Sequence, residues 1–292
     1  MTHKFSLSSI NPDWDIQLFL QSQFYSIHHN KHQLMRNIPL PWPLSLELSQ
    51  IVWIVNGSFI FASTMAMYIR DGLPPPWRLR PIVEAHTRVD DMYREILIQF
   101  WNNDYFQTVF STIIILKCPL SITVLESLLD FGDNRILFEL LKIQSVLLIP
   151  DDDQKLVDII YTSLWDFSTS LQQSRILCME SSENQLHVTI CCLQAMATQL
   201  EQFLFEGEAV KYASHYWIEH LHCTFKDANP RHMQYDSLAE KLELFIRQRF
   251  QAWFNTALNA EGFSVTDYKL ELLQAMIQKA KVGLTLVGAH LH

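Results

Sequence analysis

Apolar residues along this chain recur mostly at three- and four-residue spacing, the period of a helix with one buried face. Asp15-Ile16-Gln17-Leu18-Phe19-Leu20 opens such a run through Phe24 and Ile27, and Pro39-Leu40-Pro41-Trp42-Pro43 must interrupt it, because proline lacks the amide donor and restricts its predecessor. A second helix is predicted from about Ser45, and the Asn56-Gly57 pair is a stop signal between it and the apolar stretch Phe59–Ile69. Pro74-Pro75-Pro76 predicts an extended connector, after which Val89, Met92, Tyr93, Ile96 and Leu97 resume helical spacing.

The middle of the chain changes character. Phe106, Val109, Phe110 and Ile113 to Leu116 predict a buried helix that stops at Cys118-Pro119. Ser121 or Thr123 caps the next, with Glu126 three residues after Thr123 as in a capping box and Leu125, Leu128 and Leu129 inward. A third begins at Asp133 or Asn134 and carries Ile136, Leu137, Leu140 and Leu141. Val146–Ile149 and Leu156–Ile160, separated by Pro150-Asp151-Asp152-Asp153, then predict two short strands. Three helices followed by a β-hairpin is the order of a winged helix. Segments near 184–205, 208–222, 237–258 and 266–283 return to helical spacing, with Ser237-Leu238-Ala239-Glu240 as a second capping-box sequence and Leu270, Leu273 and Ile277 on the apolar face of the last. The expected fold class is mainly α: a helical subdomain over 1–100, a winged-helix-like domain with a short β-hairpin over 101–175, and a second helical subdomain, a bundle, over 176–292.

Composition narrows the function. Seven glycines in 292 residues, against a usual ~7%, leave few turns that need positive φ and no glycine-rich phosphate cradle. A formal net charge of −9 argues against a polyanion partner. The candidate recognition helix Asn134–Gln144 offers only Arg135 and Lys142 as cations, and Asp151-Asp152-Asp153 at the wing tip repels phosphate, so no nucleic acid is expected. Five cysteines without a C-x-x-C pair, including the vicinal Cys191-Cys192, read as core thiols in a reducing compartment. Met1-Thr2-His3-Lys4-Phe5 carries no secretory signal, and a cytoplasmic location is expected. Leu48–Ile69 contains no charged residue and is long enough to span a bilayer, but polar interruptions and the stop at Gly57 favour two buried helical pieces.

Catalytic patterns are missing from the sequence: no G-x-S-x-G, kinase loop set or G-x-x-x-x-G-K-[ST] occurs, and no enzyme activity is expected. His28 and His32 at i, i+4, and His215, His220 and His222 beside Glu219, have spacings that put nitrogens on one helix face. Without an H-E-x-x-H or Cys/His knuckle, hydrogen-bonded histidines are the expectation, and no metal is predicted. Tyr212, Tyr216 and Trp217 stand at helical spacing, as core rather than as a ligand cage.

Several segments, taken in order, resemble the NACHT-type signalling NTPases of the STAND class, specifically the large fungal set similar to animal NLR receptors. Asp15-Ile16-x-x-Phe19-Leu20, Trp42-Pro43 and Gly57-Ser58-Phe59-Ile60-Phe61-Ala62 resemble the helical subdomain that follows the nucleotide-binding core. Pro119-Leu120-Ser121-Ile122 with Leu125, Leu128 and Leu129, then Ser145-Val146-Leu147 with Ile149-Pro150, resemble its winged helix, and Ser163-Leu164-Trp165-Asp166-Phe167 is similar to its Ser-Phe-x-Asp-Phe run. His187, Cys192-Leu193, Met196, Tyr212-Ala213, Tyr216-Trp217 and His220-Leu221 resemble its second helical subdomain. The resemblance spans about residues 13 to 222 and implies the part downstream of the phosphate loop, with ATP or GTP bound only through an upstream domain. The family has a phosphate-sensing His just before a Pro-Ser-Phe run, and the matching positions here are Tyr161, Thr162, Ser163 and Leu164; the resemblance thus makes Tyr161, at the His position, the one candidate cofactor-contacting residue, and a phenol donates one hydrogen bond but does not become a cation near neutral pH. The implied role is a regulatory docking module whose partner is a protein or an NTPase domain of its own family. A helical interaction scaffold without switching, and a membrane-associated protein using residues 48–69, are the alternatives.

Overall fold

The computed structural model describes residues 12–71, 74–85, 88–132, 134–159, 161–179, 181–199, 207–225, 235–261 and 267–274. The chain is mainly helical, with one two-stranded antiparallel sheet among these residues. Helix α1 (Asp13–Asn30) buries Ile16, Leu20, Phe24 and Ile27, one face at helical period, against α3 (Ser45–Val55) and α4 (Phe59–Arg70). A short α2 (His32–Met35) and the proline-rich turn separate α1 from α3, and Trp42 packs its ring edge on Phe24 with centroids 5.4 Å apart. The backbone N–H of Leu44 donates to the Glu47 carboxylate at 2.8 Å and starts α3.

The stop between α3 and α4 is where the sequence places it. Asn56 and Gly57 both lie in the left-handed region, at φ 47° and 76°, and Ser58 Oγ accepts from the Phe61 N–H at 3.2 Å to open α4. Among the described residues no helix is long and apolar enough to cross a membrane. A Cβ at Gly57 would lie 3.1 Å from Pro12 Cγ on a backbone that disfavours L side chains. Gly57→Ala is expected to cost about 1–2 kcal/mol, read as a melting point lowered by a few degrees, whereas Asn56→Gly should cost nothing.

Pro75 and Pro76, expected in an extended connector, instead begin α5 (Pro75–Ala85). The first turn of a helix needs no amide donor, and a proline φ is already set for it. α5 also contains Pro81 and so lacks the amide that would bond back to Trp77. α6 (Val89–Ile98) follows and buries Met92, Tyr93, Ile96 and Leu97 as its spacing predicts.

The middle region has α7 (Asp104–Ile115), α8 (Ile122–Leu129), α9 (Arg135–Leu141) and the strands β1 (Leu147–Leu148) and β2 (Asp158–Ile159). Ser121, extended at φ −78° and ψ 162°, caps α8 by accepting from Val124 N–H at 3.3 Å. Thr123 is therefore inside the helix, and its hydroxyl bonds the Asp153 carbonyl at 3.1 Å instead of forming a capping box with Glu126. Asn134, at φ 58°, precedes α9, while Asp133 falls outside the described residues. The strands pair antiparallel, Leu147 with Ile159 and Leu148 with Asp158. They are shorter than predicted because the pairing is shared: Leu156 bridges to Ser121, and Val157 N–H donates to the Leu120 carbonyl at 2.9 Å. Ile160 lies outside the described residues.

α10 (Thr162–Thr169), α11 (Leu171–Ser174) and a 3-10 turn (Arg175–Leu177) lead to α12 (Ser182–Gln199) and α13 (Glu208–Thr224), which pack extensively on each other. The expected helix over 237–258 is two: α14 (Tyr235–Gln248) and α15 (Phe250–Glu261), broken at Arg249. α14 packs on α12 while α15 packs on α13, and the break puts the Trp253 indole edge-on to Trp217, centroids 5.4 Å apart. Ser237 sits within α14 rather than at its cap. Residues 267–274 are helical, with Leu270 and Leu273 against the core; 200–205, 266 and 275–283 of the expected segments lie outside the described residues. The buried apolar residues form one connected cluster from Ile16 to Ala257, so the three sequence segments share a core.

Candidate functional site

Tyr161 stands immediately before α10 in an extended conformation, φ −130° and ψ 124°, and is buried. Beside α10, the Tyr93 hydroxyl meets Ser163 Oγ at 2.8 Å, and burial pushes the Tyr93 phenol up from its ordinary value. Arg94 lies over the Phe167 ring at 5.7 Å, ion-paired to Asp91 at 2.7 Å and donating to the Gln173 carbonyl at 2.6 Å. These contacts fasten α6 to α10 and α11. Tyr161 thus belongs to a packed junction where it offers at most a hydrogen bond.

Among the described residues the candidate histidines do not form one cluster. His28 Nε2 meets the Ile38 carbonyl at 2.8 Å at the end of α1, while His215 is exposed against the Tyr216 ring, centroids 4.7 Å apart. His220, fully buried, points the other way. Its Nε2 lies 2.7 Å from the Tyr212 hydroxyl and its Nδ1 2.7 Å from Gln185 Oε1; the Tyr212 oxygen also accepts from Lys117 N–H at 3.2 Å. One proton arrangement satisfies every atom: Lys117 N–H to Tyr212 Oη, Tyr212 O–H to His220 Nε2, and His220 Nδ1–H to the Gln185 carbonyl. Burial first, then the positive Lys117, push the His220 pKa down to about 3, and burial pushes the Tyr212 phenol up. The network is neutral and satisfied, and it ties the connection between α7 and α8 to α12 and α13. Among the described residues no group of three His, Cys, Asp or Glu is placed to hold a metal ion.

Cys191 and Cys192 are both buried in α12 as free thiols. Burial raises Cys191 to about 12 and Cys192 well above its ordinary value, which keeps both protonated and unreactive.

Both cations of the 134–144 segment are already engaged. Glu139, with no exposed side-chain surface, holds Lys142 Nζ at 2.5 Å and Arg135 Nε at 3.6 Å. Arg135 also lies 3.9 Å over the Tyr105 ring and Lys142 4.8 Å over that of Phe138. A phosphate approaching α9 must compete with a buried carboxylate, while Asp151, Asp152 and Asp153 are exposed on the strand connection.

The concave surfaces are open and shallow. The groove between Cys118–Ser121 and the α13 residues Lys211, His215 and Tyr216 encloses about 520 Å³. Its thiol, Cys118, is half-buried, and burial raises its pKa, which favours the unreactive protonated form. Among the described residues, ten of the twenty-three exposed large apolar side chains fall between Trp14 and Ile60; of these Trp14, Leu18, Tyr25, Leu40, Leu46 and Trp53 are 66, 47, 62, 54, 73 and 70% exposed. Between Ile16 and Ile69 the only charged residues are Lys31, Arg36 and Glu47. An exposed apolar surface with so little charge suits an interface.

Comparison with protein-family models, with curated proteins and with solved structures gives no match. The geometry of the chain itself therefore carries the functional reading.

Sequence periodicity finds the buried face of α1 and passes over the outer one. Trp14, Leu18 and Tyr25 are spaced i, i+4 and i+11, a stripe opposite Ile16, Leu20, Phe24 and Ile27. A helix apolar on both faces is the available signal, and the lack of any Asp, Glu, Lys or Arg from Ile16 to Asn30 reinforces it.

Proposed function

We propose that this chain is a non-catalytic docking module with the plan of the post-NTPase half of a NACHT-type receptor: a helical subdomain, a winged helix and a second helical subdomain. The observation that carries the docking role is the aromatic-rich exterior of the N-terminal helices, where Lys31, Arg36 and Glu47 are the only charges in residues 16–69. For the winged helix, the support is the succession of α7, α8, α9 and a hairpin, with Leu120–Ser121 lying against Leu156–Val157 as a third, strand-like segment. The intramolecular pairing of Arg135 and Lys142 favours a protein partner over nucleic acid. In this reading a nucleotide enters only through an NTPase domain on another part of the receptor or another chain, and Tyr161 serves packing.

The test is thermal unfolding of the purified chain with and without Mg²⁺ and saturating ADP, ATP or GTP. A ligand at 100 times its dissociation constant adds about 2.7 kcal/mol to the folded state, a shift of several degrees. The expected outcome is one cooperative transition that no nucleotide moves. A shifted transition, or hydrolysis of ATP or GTP, overturns the proposal and puts Tyr161 first for substitution.

A further inference from the structure

We infer that the groove between α4, α9 and the outer edge of β1 takes a short extended peptide that carries Lys or Arg beside an apolar residue and adds to β1 as a further strand. This goes beyond the docking role proposed above, whose evidence lies on the N-terminal helices. The backbone register defines the edge. Leu147 pairs with Ile159 and Leu148 with Asp158, and among the described residues β1 has no strand on its other side. The Leu147 N–H donates to the Ile143 carbonyl at 3.2 Å, and the Ile159 N–H to the Asp158 carboxylate at 2.8 Å, so neither is spent across the pair. Leu148 and Asp158 are therefore the residues that exchange ladder bonds, and the two-residue alternation of a strand turns the N–H and C=O of Ile149 away from β2. Pro150 has no N–H, which ends the edge there and limits an added strand to a short one.

Side chains set what fits there. The groove encloses about 390 Å³, and Met67 of α4, Leu137 and Leu141 of α9, and Leu148 and Ile149 give it an apolar wall. Leu141 and Leu148 are 48 and 58% exposed, open to an incoming apolar side chain. Asp151 and Asp153 line the same groove; with Asp152 they are exposed and take part in none of the ion pairs among the described residues. Lys155 is the only cation on the connection, so residues 150–157 carry three carboxylates against one ammonium. Arg70, the cation on the groove itself, is already paired with Asp71 at 3.1 Å. Burial first, and then Asp153, push the Glu126 carboxyl up, as a negative field without a counter-charge does. A cationic peptide relieves that field, whereas a second copy of this chain, at net −9, adds to it. The apolar wall gives such a peptide an anchor, the Ile149 backbone gives it strand hydrogen bonds, and the carboxylates select its charge.

The experiment is fluorescence polarisation of the full chain with a fluorescein-labelled Lys-Lys-Val-Leu-Val-Thr-Lys-Lys peptide, whose lysines at both ends suit either strand direction. Saturable binding with a Kd on the order of 10–100 µM is expected, as for a small interface. Asp151→Asn combined with Asp153→Asn should weaken it about three- to tenfold, and by less at high salt. Leu141→Glu should weaken it by about tenfold with the helix signal in circular dichroism unchanged; where that signal falls, Leu148→Ser is the substitute. Two further probes, methylated on alternate backbone nitrogens in either register, keep the charge of the peptide, and the one that loses the donor to β1 should not bind. Glu243→Gln, exposed on α14, should change nothing. No saturable binding up to about 1 mM overturns the inference. So does binding that both methylated probes retain, or that neither the Asp pair nor the groove leucines affect, because the peptide is then held by net charge alone. The nucleotide scan reads neither the edge nor the peptide, so this inference and the function proposed above fail separately.

Discussion

Lowering the pH from 7.5 to 4.5 is expected to remove about 2–3 kcal/mol of folding stability through His220 alone, and about 4 kcal/mol by pH 3. The side chain is fully buried and its pKa falls from 6.5 to about 3 in the folded chain, by burial first and then by Lys117. The folded state therefore binds fewer protons than the unfolded one across this window. Stability is complete above the unfolded value of 6.5, declines as the pH falls toward 3, and loses little further from this group below that. Protonation would place a cation beside Lys117 and leave the Tyr212 hydroxyl facing a second donor, with Gln185 the remaining acceptor and the neutral Cys192 thiol nearby. Urea unfolding at pH 7.5, 6.5, 5.5 and 4.5, on the wild type and His220→Gln, separates this group from the carboxylates and the other histidines. The variant is less stable at pH 7.5, and its loss on going to pH 4.5 should be smaller than the wild type's by about 2–3 kcal/mol. Parallel curves would mean that His220 is not buried as a neutral group.

Trp217→Ala should cost about 3–5 kcal/mol, the loss that follows deletion of a large aromatic from a close-packed core. Trp217 is fully buried, with Phe245 and Trp253 edge-on at 5.1 and 5.4 Å, and it joins α13 to α14 and α15. Its indole N–H has no acceptor among the described residues, whereas that of Trp253 donates to the Ser214 carbonyl at 3.0 Å. Trp217→Phe removes a buried unsatisfied donor along with some apolar area, and the two effects, each about 1–2 kcal/mol, oppose one another. Trp253→Phe has no such offset and should be the more damaging by about 1 kcal/mol. Urea midpoints of the three variants give the order; Trp217→Phe as costly as Trp217→Ala would mean that the indole nitrogen has a partner after all. A second unfolding transition in Trp217→Ala would mean that the last helices fold as a separate unit.

The hydrophobic period, the sparse glycine and the stop at Asn56-Gly57 determined most of the long helices, their buried faces and the split of residues 48–69, because each of these is a local property of backbone and side chain; α5, which begins at Pro75 in a segment read as an extended connector, and the short α10 and α11 were not legible in that period. The hairpin, too, followed from two apolar runs about a polar connection. Tertiary structure decided what depends on partners distant in sequence. The divided pairing of Leu156 to Ile159, the choice of Ser121 over Thr123 as a cap, and the break at Arg249 each answer to a contact made across the fold. So does the direction of His220: spacing alone leaves it level with His215 and His222, and only the packing of α12 on α13 turns it toward Tyr212 and Gln185. The outer stripe of α1 stands between the two cases. Its residues are plain in the sequence, but a helix with two apolar faces does not say which one the core will take, and burial of Ile16, Leu20, Phe24 and Ile27 leaves Trp14, Leu18 and Tyr25 to the outside.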